Sequence, residues 1–132
     1  MDNSIERILN ETETIAVVGF SRRPTRAGYY VPAYLQEQGY RIIPVNPYLD
    51  QALGETAYPD LVSIPDDVDL ILIFQRSENV PPFVDQAIDI GAKSVWMQQG
   101  IANETAASKA RDAGLVVVQN ACMMVEHRIR PR

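Results

Sequence analysis

An apolar run that stops at a glycine, followed by an arginine-rich turn, constrains this chain more than any other feature. Residues 15–18 read Ile-Ala-Val-Val and end at Gly19; Phe20-Ser21-Arg22-Arg23-Pro24-Thr25-Arg26-Ala27-Gly28 follows. An amphipathic stretch over 29–39 then leads to a second apolar run, Arg41-Ile42-Ile43-Pro44-Val45, closed by Asn46-Pro47. The pattern predicts a strand, a turn, a helix and a parallel strand. Free N–H groups and the helix dipole at such a turn suit a phosphate, and arginine offers a planar fork to phosphate oxygens. The alternative is that Gly19 makes only a tight turn and the arginines are solvated.

A dinucleotide fingerprint requires Gly-x-Gly-x-x-Gly at this turn and an acidic residue about 20 residues on, to hold a ribose diol. Here Gly19 is followed by Phe20 and Ser21, and the second strand ends in Asn46-Pro47. The unit therefore points to a phosphate-bearing adenine cofactor rather than to ordinary NAD.

The remainder of the chain repeats the alternation. A leading helix is expected over 4–10, capped by Asn3 or Ser4, and strand 1 over 14–19. Helix A is expected over 28–38, with Pro32 near its first turn and Gly39 just past its end. Residues 53–59 allow a brief edge strand and 60–64 a single helical turn. Asp69-Leu70-Ile71-Leu72-Ile73-Phe74 is a continuous apolar run, as a strand buried on both faces requires. A helix capped by Ser77 or Asn79 should run to Gly91, a strand over 93–97, a loop over 98–102, and a helix from the cap Asn103 to near Gly114. A last strand over 115–118 and a short helix over 122–128 complete the pattern. This predicts one α/β domain over 1–132: a Rossmann-like three-layer sandwich with a mainly parallel sheet, strand order 3-2-1-4-5-6 and a very short strand 3 at 55–57. Ligands on such sheets bind beyond the carboxyl ends of the strands where the order reverses. That places Gly19 to Arg26, Asn46-Pro47, Phe74 to Arg76, Gln98 to Ile101 and Gln119 to Cys122 on the rim.

With 132 residues and 46% apolar content, the chain has enough for one core. The net charge of −5 disfavours nucleic acid, although arginine makes up ten of the twelve basic residues and three of them crowd one turn. No apolar stretch approaches the ~20 residues of a membrane span, and the N-terminus lacks the pattern of a secretory signal. A single cysteine, Cys122, excludes an intrachain disulfide and fits a reducing, cytoplasmic setting. With one histidine as well, a zinc site is disfavoured.

The rim segments resemble the small single-domain CoA-binding proteins of bacteria and archaea, which are similar to the N-terminal domain of the succinyl-CoA synthetase alpha subunit. The resemblance covers about 15–127. It rests on Val-Val-Gly-Phe-Ser at 17–21, Pro24 and Arg26, Ile-Pro-Val-Asn-Pro at 43–47, Leu-Gly-Glu at 53–55, Arg-Ser-Glu at 76–78, Gly-Ala-Lys at 91–93, Trp96, Gln-Gly-Ile at 99–101, Asn103-Glu104, Ala-Gly-Leu at 113–115, Cys122 and Glu126-His127. It implies coenzyme A or an acyl-CoA as ligand, held by Gly19, Phe20, Ser21, Arg22, Arg23, Pro24 and Arg26 at the first turn. It further implies Asn46 and Pro47 at the second strand end, Phe74 along the adenine or pantetheine groove, Arg76 on a phosphate, and Gln98, Gln99, Gly100 and Ile101 at a third turn. Three positions depart from the pattern: Tyr48-Leu49 stands where the synthetase has a lysine, Gln75 where an arginine is common, and Asn120-Ala121 where Asp-Arg is common. The phosphohistidine domain of the synthetase is absent from this sequence.

Cys122 and His127 are the only candidates for thioester chemistry. A reactive cysteine needs a nearby cation, base or helix N-terminus; packing is the plainer reading of both residues, and of Trp96. Arg76 is either a phosphate ligand or the surface partner of Glu78 or Asp85. Three readings follow: a non-catalytic CoA or acyl-CoA binding protein, an enzyme acting on a CoA thioester, and a nicotinamide-responsive regulator. The first is the expectation, with no catalytic or metal residues, a small-molecule partner, and no nucleic acid or membrane.

Overall fold

A computed structural model describes residues 2–130; Met1 and residues 131–132, which close the expected domain, lie outside the described residues. The elements are α1 (Ser4–Glu11), β1 (Thr14–Val18), α2 (Ala27–Glu37), β2 (Arg41–Val45), β3 (Gln51–Ala52), β4 (Glu55–Thr56), β5 (Leu70–Ile73), a 3₁₀ turn (Ser77–Asn79), α3 (Pro81–Asp89), β6 (Ser94–Met97), α4 (Glu104–Asp112), β7 (Val116–Val118) and α5 (Met123–Arg128). Five strands form one parallel sheet in the order β2-β1-β5-β6-β7, with Ile15 level with Ile42 and Leu70, and Leu70 level with Ser94.

Alternation along the strands divides the core between the two faces of the sheet. Ala16, Val18, Ile43, Ile71, Ile73, Val95 and Met97 pack under α3 and α4. Ile15, Val17, Ile42, Leu70, Leu72 and Trp96 pack under α1, α2 and α5. Central strands covered on both sides explain why 70–73 is apolar throughout. The Rossmann-like three-layer class is therefore as expected. No described helix is long and apolar enough to cross a membrane.

The expected strand 3 is a correction. Residues 51–56 form a separate antiparallel hairpin, turned by Leu53 and Gly54, both at positive φ (53° and 76°). The backbone bridge to the main sheet is made by Tyr58, opposite Val45: its N–H donates to the Pro44 carbonyl (3.0 Å) and its carbonyl accepts from the Asn46 N–H (2.9 Å). Pro59 follows and has no N–H to extend a ladder. The sheet thus runs 2-1-4-5-6 in the strand numbering of the sequence reading. Residues 60–64 form a turn, not a helical one.

Three helix details also differ: α3 starts at Pro81 after Val80 with no side-chain cap, and Ser77 and Asn79 lie instead in the 3₁₀ turn. The N–H of Ser4 is capped by the Asp2 carboxylate at 2.8 Å, while Asn3 makes no side-chain cap bond. Helix α2 starts at Ala27, which places Pro32 in its second turn. A proline there removes the N–H that would bond the carbonyl four residues back, that of Gly28. The Gly28 carbonyl instead accepts from the Ser21 N–H at 3.1 Å, so the helix keeps that group satisfied and the arginine turn gains an anchor. Asn103 caps α4 as its position predicts, accepting from the Ala106 N–H at 3.0 Å.

At the amino edge of the sheet, Asp69 ties three segments together. Its Oδ2 accepts from the Glu13 and Thr14 N–H groups, both at 3.0 Å, and its Oδ1 lies 3.4 Å from Lys93 Nζ. Partial burial pushes its carboxyl up, but the two backbone N–H groups and Lys93 outweigh that and hold it below the ordinary carboxylate value.

Candidate functional site

The chain leaves β1 to form β2 on one side and later returns to place β5 on the other. The carboxyl ends of β1 and β5 therefore open a crevice at the reversal. Gly19 sits at its base with φ +80°, and a Cβ there would lie 2.5 Å from the Phe74 carbonyl oxygen. Gly28 is the second close approach: a Cβ on it would lie 3.0 Å from the Gly19 carbonyl oxygen. Gly28 thus lets α2 pack tightly on the strand end, the task of the third glycine in the dinucleotide fingerprint. Its spacing from Gly19 differs from that of the fingerprint, so the motif alone does not reveal it.

Above these glycines lies a cleft of about 550 Å³, within the usual range for ligand sites. Gly19, Phe20, Ser21, Arg22, Arg23 and Arg26 line one wall, and Asn46 and Phe74 flank it, as expected. Ala27, Gly28, Tyr48, Leu49 and Gln75 complete the lining and were not anticipated. Tyr48 and Leu49 carried a usable signal, since they directly follow the end of β2. A smaller hollow of about 420 Å³ lies at the opposite, amino end of the sheet, between Arg7, Asp69 and Lys93. All three of those side chains are already in ion pairs.

The arginine turn is exposed, and its guanidinium groups are free. Among the described residues, Arg22, Arg23 and Arg26 form no ion pair, while Arg7, Arg41, Arg111 and Arg130 do. The turn's backbone is nevertheless fixed. Ser21 Oγ accepts from the Arg23 N–H (3.1 Å), Arg26 N–H donates to the Arg23 carbonyl (3.0 Å), and Ser21 N–H is held by Gly28. The N–H groups of Ala27 and Gly28, the first of α2, donate to no described acceptor. Free cations beside free helix N-terminal donors make an anion-binding corner.

Several of the expected site residues also brace the rim. Asn46 Nδ2 donates to the Phe20 carbonyl and its Oδ1 accepts from the Tyr48 N–H, both at 2.8 Å. Asn46 therefore links the two rim loops. The Phe20 ring is buried beneath the turn, edge-on to Tyr29 with centroids 5.9 Å apart, so only its backbone reaches the rim. Gln98 is buried and its Oε1 accepts from the Met123 N–H at 3.3 Å. Gln99 and Gly100 are exposed beyond β6, where the Gly100 N–H donates to Asn120 Oδ1 at 2.8 Å. Ile101 packs on the core. Arg76 is exposed and free: Glu78 is not within ion-pair reach, and Asp85 is taken by Lys109 at 2.6 Å. Pro24, Pro47, Arg76 and residues 98–101 lie outside the cleft lining, the last group further along the same rim.

Cys122 is half-buried ahead of α5, just past the carboxyl end of β7. His127 is buried against α2, its Nδ1 2.7 Å from the Tyr34 hydroxyl and its ring 6.0 Å from that of Tyr40. Tyr40 precedes β2, so His127 lies toward the amino ends of the strands. Trp96 is fully buried, and its Nε1 donates to the Ala121 carbonyl at 2.8 Å. No group of three or more metal-ligating side chains occurs among the described residues.

A parallel doubly wound sheet with an exposed arginine turn over its switch point defines a Rossmann-like protein with a cationic turn at the carboxyl ends of its strands. Within that class, residues 13–128 match the CoA binding domain family, and the chain belongs to it. The resemblance drawn from the rim motifs therefore holds. A hypothetical protein from Pyrococcus horikoshii OT3 superposes with a TM-score of 0.92 at 41% identity, over 97% of this chain and 90% of its own. The uncharacterized protein YneT of Bacillus subtilis (strain 168) is 38% identical over 125 residues, 95% of this chain and 93% of that one. The ADP-forming acetate–CoA ligase II of Archaeoglobus fulgidus is 32% identical over 95 residues, which make up 70% of this chain but 14% of the ligase.

Proposed function

We propose that this chain binds coenzyme A or an acyl-CoA at the carboxyl rim without turning it over, as a carrier, sensor or regulatory module. The observation that carries the reading is the turn from Gly19 to Gly28: three exposed arginines without a carboxylate partner among the described residues, on a braced backbone, beside a cleft of about 550 Å³. Family membership over 13–128 supports the choice of CoA among phosphate-bearing ligands. The 3′-phosphate and pyrophosphate are anionic and suit arginine forks. Gln99, Gly100 and Arg76, further along the rim, are proposed to meet the more distant part of the molecule.

The non-catalytic part of the reading rests on separation. Thioester cleavage needs a nucleophile and a base within hydrogen-bond reach of each other. Cys122 follows a strand's carboxyl end, whereas His127 is engaged with Tyr34 toward the other end of the sheet. NAD is disfavoured because Asn46, where the diol-binding acid would stand, is occupied by Phe20 and Tyr48. Calorimetric titration with CoA, acetyl-CoA and NAD(H) tests the reading. CoA should bind more tightly than NAD(H), and the reverse order would overturn it.

A further inference from the structure

We propose that Tyr48 is the platform on which the base of the bound nucleotide stacks, so that the adenine end of the ligand lies on the β2 side of the cleft. The proposal deepens the CoA reading and rests on it for the identity of the full ligand. Tyr48 lines the cleft and is 90% exposed, far more than any other exposed large apolar or aromatic residue of the described chain. The ring belongs to neither core cluster, and its hydroxyl makes no hydrogen bond among the described residues. The fold therefore makes no use of it.

Its backbone, by contrast, is fixed. The Tyr48 N–H donates to Asn46 Oδ1 at 2.8 Å, and the Leu49 N–H donates to the Asn46 carbonyl at 3.3 Å. Asn46 Nδ2 also holds the Phe20 carbonyl, so one amide side chain ties the backbone that carries the ring to the backbone of the arginine turn. A free flat ring beside three free cations matches the two halves of a nucleotide: a base with a π-face and a charged phosphate group. Base–aromatic stacking needs no hydrogen-bond readout, which fits a tyrosine whose hydroxyl is unengaged. Of the other two aromatic residues of the lining, Phe20 is buried, and Phe74 is half-buried and packs on the core, so both present less of their faces.

The test is titration of CoA, ADP and 4′-phosphopantetheine into the wild-type protein and into the Tyr48→Ala and Tyr48→Phe variants. Because the ring is outside the core, all three proteins should share one unfolding midpoint. Tyr48→Ala should weaken both CoA and ADP by about 5- to 100-fold, the effect of losing one base–aromatic contact. Phosphopantetheine affinity should be unchanged, and Tyr48→Phe should behave as wild type. Wild-type affinity of Tyr48→Ala for CoA and ADP would overturn the platform, as would an equal loss for phosphopantetheine. Wild-type protein that binds ADP but not CoA would refute the CoA reading alone, and Tyr48-dependent ADP binding would still uphold the platform. Absence of binding to either nucleotide would refute both.

Discussion

Replacing Gly19 with alanine should damage fold and site together. The residue sits at φ +80°, where a Cβ costs about 1–2 kcal/mol in backbone strain. The added Cβ would also lie 2.5 Å from the Phe74 carbonyl oxygen, a backbone atom that cannot rotate away. Ordinary contact begins near 3.4 Å, so the ends of β1 and β5 must separate by most of an ångström. The bond at risk is the last across that pair, Phe74 N–H to the Val18 carbonyl at 2.8 Å, which contributes about 1 kcal/mol. Together these give a loss of roughly 2–3 kcal/mol, a large part of the stability of a domain of this size. Urea unfolding at neutral pH reads the loss directly, and CoA calorimetry on the folded variant should show weakened binding because the arginine turn springs from this residue. A variant within about 0.5 kcal/mol of wild type that binds CoA normally would show that the close approach constrains neither.

Replacing Arg22, Arg23 and Arg26 together by alanine should weaken CoA at least tenfold, since each charge-assisted contact contributes roughly 1.5–3 kcal/mol. The apo melting temperature should barely move, because none of the three holds an ion pair among the described residues; surviving affinity would place the phosphates elsewhere on the rim. Asp69→Asn should destabilise by about 1–2 kcal/mol at pH 7 through loss of charge-assisted bonds to two N–H groups. The folded Asp69 carboxyl titrates below its ordinary value of 3.8, so its contribution is complete above that pH and disappears as pH falls through the folded value. Urea titrations of both proteins should therefore converge under strong acid, and a gap independent of pH would refute the assignment. Cys122→Ser should bind CoA as wild type does, and the wild-type protein should release no thiol from acetyl-CoA; thiol release that depends on Cys122 would favour the enzyme reading.

Local pattern carried the sheet because each main strand is a short apolar run with its own stop signal. Residues 41–45 form β2 as the run predicts, and Asn103 caps α4 from a position readable in isolation. The hairpin at 51–56 was hidden because its turn uses Leu53 at positive φ, a conformation that leucine does not advertise. The switch point was also legible, since a doubly wound sheet puts β2 on one side of β1 and β5 on the other. The roles of individual rim residues were less so. The position of Asn46 at a strand end marks it as a rim residue but does not show that its amide joins two loops 26 residues apart. That pairing exists only once β1 and β2 lie side by side.

The same logic explains how an exposed turn of cations can be held without losing its charges to neighbours. Pro32 leaves the Gly28 carbonyl without its helical donor, and the Ser21 N–H takes that place. Gly28 lets the helix approach the Gly19 carbonyl, and Asn46 holds the carbonyl of Phe20. Phe20 itself is buried below. The turn is thus anchored from beneath by neutral groups, on backbone atoms and one apolar ring. No carboxylate of the described residues takes part, so bracing the backbone at Arg22, Arg23 and Arg26 does not neutralise their side chains. An anion that enters the cleft meets guanidinium groups that need not be released from an internal partner, on a backbone that need not be ordered first. Pro32→Ala probes this arrangement. It would restore an N–H aimed at the Gly28 carbonyl and set it against the Ser21 N–H, so CoA affinity should fall although no group that touches the ligand has changed. If affinity held while the helix gained stability, the anchor would be incidental to binding.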